Sequence, residues 1–190
     1  DFYEMFYEDA LKASKELELT LTGKNCGLEE RAPMCGVPYH SVEGYLNKLV
    51  EKGYKVAICE QVEDPKHARG IVHREVIRIV TPGTNTNMQA LDESKNNYIM
   101  SIVYLNSRYG VSIADVTTGD YYVTEVESAQ KLADEIHKFA PSEIVCNEAF
   151  YMSGTDIEEI CTRLNISISA LDAWYFSDET TVGTLLSHFR

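Results

Sequence analysis

The chain has 190 residues, of which 44% are hydrophobic and 25% charged, a composition typical of one large folded domain or of two small ones. Its net charge of −13 argues against nonspecific binding to nucleic acid or to an anionic membrane. No apolar run approaches the roughly 20 residues that cross a bilayer, and no signal peptide opens the chain. We therefore expect a cytoplasmic protein. Because the second half is the more acidic one, any contact with a polyanion is expected in the first half.

The first half predicts a mixture of helices and strands, because apolar residues recur there with both periods. The segment from Ala32 to Pro38 holds two prolines besides a glycine and is expected to be irregular. In chain order, the predicted elements are a helix over about 5–17, a short strand over 19–22, an irregular segment over 23–38, a helix over about 42–50, a buried strand over 54–59 and a strand over 71–80.

The second half follows a turn sequence at 81–84 and an Asn-rich segment over 85–97, which we interpret as a linker. Three antiparallel strands and then alternating helices and strands are predicted, which indicates an α/β layer with a mixed sheet. Ser128 is a candidate N-cap for the first of these helices, and Pro141 ends it. The predicted elements are strands over 98–105, 111–116 and 121–126, a helix over 129–140, a strand over 143–146, a helix over about 157–164, a strand over 166–174 and a helix over about 182–189.

Motifs of nucleotide hydrolysis and of serine hydrolases are absent from the sequence. The one Gly-Lys pair, Gly23-Lys24, is followed by Asn25 and lacks the first glycine of a phosphate-binding loop. Neither G-x-G-x-x-G nor G-x-S-x-G occurs. The cysteines form no C-x-x-C pair and the histidines no i, i+4 pair, so we predict free thiols and no standard zinc site.

Three carboxylates of the second half lie at the ends of predicted strands: Asp115, Asp120 and Glu143. A strand-borne aspartate in a three-stranded meander followed by α/β units is also how ribonuclease-H-like nucleases begin, in which clustered carboxylates hold Mg²⁺. Asp115 also precedes a predicted turn, where aspartate is common for structural reasons. A structural role is favoured, and a metal-dependent nuclease site remains the alternative.

The first half contains one basic stretch, which runs into the predicted strand over 71–80. Arg74 and Arg78 share parity on that strand, so their side chains are expected on one face, about 13 Å apart. This spacing could straddle successive DNA phosphates, and the alternative is a solvated strand face. The basic residues of the stretch are Lys66, His67, Arg69, His73, Arg74 and Arg78.

The chain opens on an aromatic-rich segment. Phe6, and Phe2 with it, could belong to the core side of the first predicted helix. Phe2 nevertheless precedes the regular helical spacing, and Glu4 follows it by two positions. In an extended stretch these two side chains project from the same side. An aromatic ring able to enter between stacked bases would then stand beside a carboxylate able to accept a hydrogen bond from a base edge.

Several segments occur in one order: Asp1–Phe6, Pro33–His40, Val56–Gln61, Glu63–Pro65 and Arg74–Thr84. Together they resemble the mismatch-recognition domain of the MutS family of DNA mismatch repair proteins, over about residues 1–85. The remainder resembles more loosely the family's connector domain, whose fold is ribonuclease-H-like, mainly through its position and the segment Ser112–Gly119. The expected fold is α/β, with a small mixed-sheet domain over 1–84, a linker over 85–97 and a ribonuclease-H-like connector domain over 98–190.

The resemblance implies roles for individual residues. In this family a Phe-x-Glu motif enters the minor groove at a mispair, so Phe2 is expected to stack on a mispaired base and Glu4 to accept a hydrogen bond from it. A mismatch lowers the cost of unstacking and kinking the duplex, which favours insertion at that step. Supporting contacts to DNA are expected from Met34, Gly36, His40, Arg74 and Arg78.

The resemblance also implies partners and limits. The connector half is expected to contact the partner protein MutL and to have no nuclease activity, although a pure protein-interaction module is a further alternative. The family normally has a strand before this motif and lever, clamp and ATPase domains after it, so we expect a longer, dimeric, ATP- and Mg²⁺-dependent protein. These 190 residues are expected to be noncatalytic and to hold no cofactor. The expected location is the bacterial cytosol, at the nucleoid when on DNA.

Overall fold

The computed structural model describes residues 1–27, 29–64, 70–87 and 96–189. The chain divides into two compact units, Asp1–Thr81 and Pro82–Arg190. Lys66, His67 and Arg69 of the basic stretch lie outside the described residues, as does most of the predicted linker. Within the described ranges, no helix is long and apolar enough to cross a membrane.

The first unit combines two helices with two small sheets. Its elements are β1 (Phe2–Phe6), α1 (Tyr7–Glu16), β2 (Thr22–Lys24), β3 (Ala32–Pro38), α2 (Val42–Glu51), β4 (Val56–Gln61) and β5 (Arg74–Val80). One sheet has the order β1-β3-β2, and β4 pairs with β5 in the other. The predicted mixture of helix and strand is confirmed, but every strand pairing recorded in this unit is antiparallel, so its sheets are not mixed.

The segment Ala32–Pro38, expected to be irregular, is instead the central strand of its sheet. β1 pairs with residues 34–38 and β2 with residues 32–34. Backbone groups alternate between the two sides of an antiparallel strand, so Pro33 turns its nitrogen to the β1 side and Pro38 to the β2 side. Each proline lies beyond the end of the neighbour that it faces. Neither therefore removes a hydrogen bond from the ladder.

The first helix begins later than predicted. Met5 and Phe6 belong to β1, and α1 starts at Tyr7. Across the sheet, Met5 faces Cys35 and Phe6 faces Met34. The same two apolar residues fit the end of a half-buried strand as well as the start of an amphipathic helix. Apolar spacing alone therefore does not locate this junction.

Two small apolar clusters stabilise the first unit. One joins Ala10 of α1 to Cys35 of β3, and the other joins Leu46 of α2 to Val80 of β5. β4 turns only alternate side chains toward the protein, because one face of its two-stranded sheet is covered and the other is not. The expectation of a buried strand over 54–59 is therefore wrong, because residues of β4 alternate between half-buried and exposed.

The second unit is a five-stranded mixed sheet with helices. Its elements are β6 (Tyr98–Leu105), β7 (Arg108–Asp115), β8 (Tyr121–Val126), α3 (Ala129–Phe139), β9 (Glu143–Asn147), α4 (Glu148–Met152), α5 (Glu158–Leu164), β10 (Ser167–Leu171) and α6 (Asp178–His188). The strand order is β10-β9-β6-β7-β8. The first three strands form an antiparallel meander, and β9 and β10 run parallel to β6. The expected α/β fold with a mixed sheet is confirmed.

Most predicted elements of the second unit are present. β6 and β8 have the predicted bounds, and the Oγ of Ser128 accepts a hydrogen bond from the N–H of Lys131 (3.3 Å), capping α3 as predicted. α4 was not predicted, β10 ends before the predicted limit at Trp174, and α6 begins earlier, at Asp178. The core lies between the sheet and its helices, and includes Met100, Ile102, Val111, Ile113, Leu132, Ile136, Ile144, Cys146 and Phe150.

The start of the second unit packs closely against its sheet. A Cβ at Gly83 would lie 2.8 Å from the Cβ of Ile99 and 3.2 Å from that of Glu143, so this position accepts no side chain without displacement. The Nδ2 of Asn97 donates to the carbonyl of Pro82 (3.0 Å). The turn after β5 is thereby tied to the sheet of the second unit.

All five cysteines are free, as predicted. Cys35, Cys146 and Cys161 are buried, and burial raises the pKa of each thiol. Cys26 and Cys59 are exposed.

Candidate nucleic-acid interface

β1 presents its residues to two different faces. Side chains alternate along a strand, so Phe2, Glu4 and Phe6 share one face, which we call the outer face of β1. Tyr3 and Met5 share the opposite face, and Met5 packs against the cluster around Ala10. The extended conformation inferred for Phe2 and Glu4 is confirmed, and Phe2 keeps 64% of its surface exposed.

Tyr3 fixes β1 from behind. Its ring stacks on that of Tyr39, with centroids 5.4 Å apart, and its hydroxyl donates a hydrogen bond to the carboxylate of Glu60 in β4. That hydrogen bond, burial and the negative charge of Glu60 together raise the pKa of Tyr3 to about 12. The strand that carries Phe2 and Glu4 is thus attached to β4 as well as to β3.

Two predicted supporting residues, Gly36 and Met34, lie beside the outer face of β1, and a third, His40, follows the strand that carries them. Gly36 stands opposite Glu4 in β3, where a Cβ would lie 3.0 Å from the carbonyl oxygen of Tyr3 and 3.5 Å from the ring of Phe2. Met34 stands opposite Phe6 in the same sheet. His40 follows the end of β3 in a short 3-10 turn and is exposed. Gly36 therefore permits the close approach of β3 to the Tyr3 carbonyl of β1.

The ammonium of Lys24, a residue of β2, reaches the outer face of β1. The Nζ of Lys24 lies 2.6 Å from Oε2 of Glu4 and 5.4 Å from the centroid of the Phe6 ring. In the sequence, Lys24 stands out only as part of an incomplete phosphate-binding motif. Its position on β2, on the far side of β3 from Glu4, is set by strand pairing, and no local pattern in the sequence indicates it.

Arg74 and Arg78 do not share a face. Ile58 pairs with Arg78 and Gln61 with Arg74, while the register shifts at a β-bulge between them. The extra residue inverts the alternation along β5, so the two arginines point to opposite sides of the sheet. Arg78 pairs with Glu43 of α2 (Nη1 to Oε1, 2.7 Å). The expectation of two arginines on one face, 13 Å apart, is therefore wrong.

A groove of about 680 Å³ lies within the first unit, between β1 and β4. Tyr3, Tyr39 and Tyr45 line it together with apolar residues of α2, with Arg74 and with Glu4. Arg74 therefore lines the same concave region as residues of β1.

Asp115, Asp120 and Glu143 belong to no group of side chains that could hold a metal ion among the described residues. Asp115 is fully buried and accepts hydrogen bonds from Thr117 and the backbone of Asn97, whereas Asp120 is exposed and bonds the hydroxyl of Thr118. Burial raises the pKa of Asp115, but these hydrogen bonds outweigh it and hold the pKa below its usual value. Among the described residues, no group of three or more His, Cys, Asp or Glu side chains could hold a metal ion. The nuclease alternative is not favoured, and Asp115 anchors the turn after β7.

Comparison with known proteins agrees with the resemblance. The family model for MutS domain I matches residues 1–89, and the model for MutS domain II matches residues 97–190. DNA mismatch repair protein MutS of Lachnoclostridium phytofermentans is 64% identical over 190 residues, which are 100% of this chain and 20% of that protein. The corresponding protein of Acetivibrio thermocellus is 52% identical over 193 residues, 100% of this chain and 22% of that protein.

The chain spans about one fifth of the length of the curated relatives it matches. The two family models follow one another along the chain and meet near the division between its two units. The chain therefore belongs to the MutS family of DNA mismatch repair proteins and carries domains I and II of that family.

Proposed function

We propose that the outer face of β1 recognises mispaired bases in double-stranded DNA. The observation that carries the proposal is an exposed phenylalanine held beside a carboxylate on one face of a paired strand. Phe2 would enter the base stack from the minor groove, and Glu4 would accept a hydrogen bond from a mispaired base. Unstacking a base step costs a few kcal/mol of free energy. Stacking is already weaker at a mismatch, so inserting the ring costs less free energy there than at a matched step.

The surroundings of Phe2 support insertion. An aromatic wedge must resist being pushed back, and β1 is held by β3 on one side and through Tyr3 by β4 on the other. Gly36 lets β3 lie close to the backbone of β1 beside Phe2, and Met34 stands opposite Phe6 in the same sheet. Met34 and His40 would contact the minor groove or its phosphates. Arg74 and Arg78 would attract DNA phosphates at long range. They would not form one contact surface, because they lie on opposite sides of their sheet.

Binding of a matched and a G·T-mismatched duplex tests this function. Fluorescence anisotropy across a salt series should show tighter binding to the mismatch, and Phe2→Ala should remove that preference. Tyr151→Ala in the second unit is the matched control, because Tyr151 is similarly exposed, at 59%. A Phe2→Ala protein that still prefers the mismatch would contradict the proposal.

We also propose that the second unit relays recognition to partner proteins. Residues 96–190 are strongly acidic, which keeps this unit from competing for DNA and suits a contact with a basic protein surface. On the family's account that partner is MutL, and the complete protein is a dimeric, cytosolic ATPase whose nucleotide and Mg²⁺ are held outside these residues. Charge reversal of exposed acids in the second unit should weaken MutL binding and leave DNA binding unchanged; equal MutL binding would contradict the relay.

A further inference from the structure

Lys24 crosses the outer face of β1 and reaches Glu4. Its Nζ lies 2.6 Å from Oε2 of Glu4 and 5.4 Å from the centroid of the Phe6 ring, over the face of that ring. The Lys24 side chain is 48% exposed and that of Glu4 34%. Within the described residues, no other side chain bonds this carboxylate, so Oε1 is left to accept from another donor.

The backbone around Lys24 is fixed. The Oγ1 of Thr22 donates to the carbonyl of Met34 (3.0 Å), and the guanidinium of Arg31 donates to the carbonyl of Gly23. Lys24 itself pairs with Ala32 at the end of β3. The backbone of Lys24 is therefore fixed, and only its side chain has to be ordered when the ammonium pairs with Glu4.

A lone carboxylate is poorly suited to a DNA surface. Phosphates repel it, and an exposed glutamate samples several rotamers, so both charge and entropy oppose its use as a base acceptor. An ammonium on one oxygen removes the net charge, restricts the rotamers and leaves the second oxygen available. The pair on the outer face of β1 has this arrangement.

We propose that Lys24 is a positioning residue for Glu4: it is the counter-ion that holds the carboxylate at the mispair and makes it tolerable beside phosphate. This inference rests on the proposed mismatch recognition and deepens it. It assigns to Lys24 an effect on discrimination between duplexes, beyond any general attraction of a lysine to DNA.

A double-mutant cycle tests the proposal in the complete protein, with Lys24→Met, Glu4→Gln and both changes together. The readout is the ratio of dissociation constants for matched and G·T-mismatched duplexes, because phosphate attraction common to both duplexes cancels in it. We expect Lys24→Met to lower this ratio by roughly two- to fivefold, the range of an exposed ion pair. In the Glu4→Gln background, Lys24→Met should leave the ratio unchanged. Lys24→Arg should retain most of the ratio that the parent protein shows.

Controls separate this proposal from a folding defect and from failure of mismatch recognition itself. Lys12→Met removes the same charge from an exposed position of α1 and should not change the ratio. Each variant should keep the thermal unfolding midpoint of the parent, and Lys24→Gln replaces Lys24→Met if the latter does not fold. Equal loss of affinity for both duplexes, or a Lys24 effect that persists with Glu4→Gln, would overturn the proposal. If Phe2→Ala also kept the mismatch preference, the failure would lie in the proposed function.

Discussion

Replacing Asp115 by Asn tests whether this carboxylate anchors the second unit. Its Oδ1 accepts from the N–H and the hydroxyl of Thr117, at 2.8 and 2.6 Å, and from the N–H of Thr118 at 3.4 Å. Its Oδ2 accepts from the N–H of Asn97 at 3.1 Å. The side chain thus joins the start of β6 to the turn after β7, at a position with 0% exposure.

An asparagine at this position has only one oxygen that can accept hydrogen bonds. If this oxygen accepts from Thr117, the NH₂ group of the side chain faces the N–H of Asn97, which then has no acceptor. Hydrogen bonds to a charged acceptor contribute about 1.5–3 kcal/mol each, and a buried unsatisfied donor costs about 1–3 kcal/mol. We expect Asp115→Asn to lower the free energy of unfolding by about 2–4 kcal/mol. Asp120→Asn, at an exposed position, should change it by no more than about 0.5 kcal/mol.

Urea unfolding followed by tryptophan fluorescence measures this change in the correct unit, because the single tryptophan, Trp174, lies there. The folded-state pKa of Asp115 is below its ordinary value, so its contribution is present above about pH 4 and is lost as the pH falls further. The Asn variant should lack that part of the acid sensitivity. Equal stability of the Asp115 and Asp120 variants, or an unchanged pH profile, would refute the anchoring role. Mg²⁺-dependent DNA cleavage lost in Asp115→Asn would instead support the nuclease.

Three further changes probe the support of the outer face of β1 and one helix cap. Tyr3→Phe removes the hydrogen bond to Glu60 and should lower the free energy of unfolding by about 1 kcal/mol at neutral pH. Because the folded protein raises the pKa of Tyr3 to about 12, the parent should lose stability between pH 10 and pH 12 as Tyr3 ionises. Thermal unfolding of Tyr3→Phe should lack that loss. Gly36→Ala should destabilise by about 1–3 kcal/mol through its close approach to the β1 backbone, whereas Gly44→Ala, in open space on α2, should be neutral or stabilising in the same assay. Ser128→Ala should cost about 1 kcal/mol by removing a cap, and no change in the unfolding midpoint would contradict the observed geometry.

Strands rich in β-branched and aromatic residues between clear turns are predictable from sequence. β6 and β8 have the predicted bounds because such residues are dense there and recognisable turns flank them. β3 was missed because its prolines argue locally against a strand, and only the short overlap of its two neighbours makes them acceptable. The start of α1 was misplaced because Met5 and Phe6 fit both periods.

The candidate site was predictable where neighbours in sequence are neighbours in space. Phe2 and Glu4 share a face through the two-residue period of a strand, which the sequence displays directly. The bulge that separates Arg74 from Arg78 has no such signal in the sequence, so the prediction that the two arginines share a face is wrong. Lys24 reaches Glu4 across β3, and a contact between distant strands depends on their pairing and register.

Insertion of Phe2 into the base stack can be measured most directly with 2-aminopurine placed next to a G·T mispair. The fluorescence of this base rises when it loses stacking partners, so it reports the local unstacking that insertion of Phe2 requires. We expect the complete protein to raise the fluorescence on the mismatched duplex and to change it little on the matched one, and we expect Phe2→Ala to abolish the rise at saturating protein. An equal rise with Phe2→Ala would contradict the central claim, because the stack would then open without the ring.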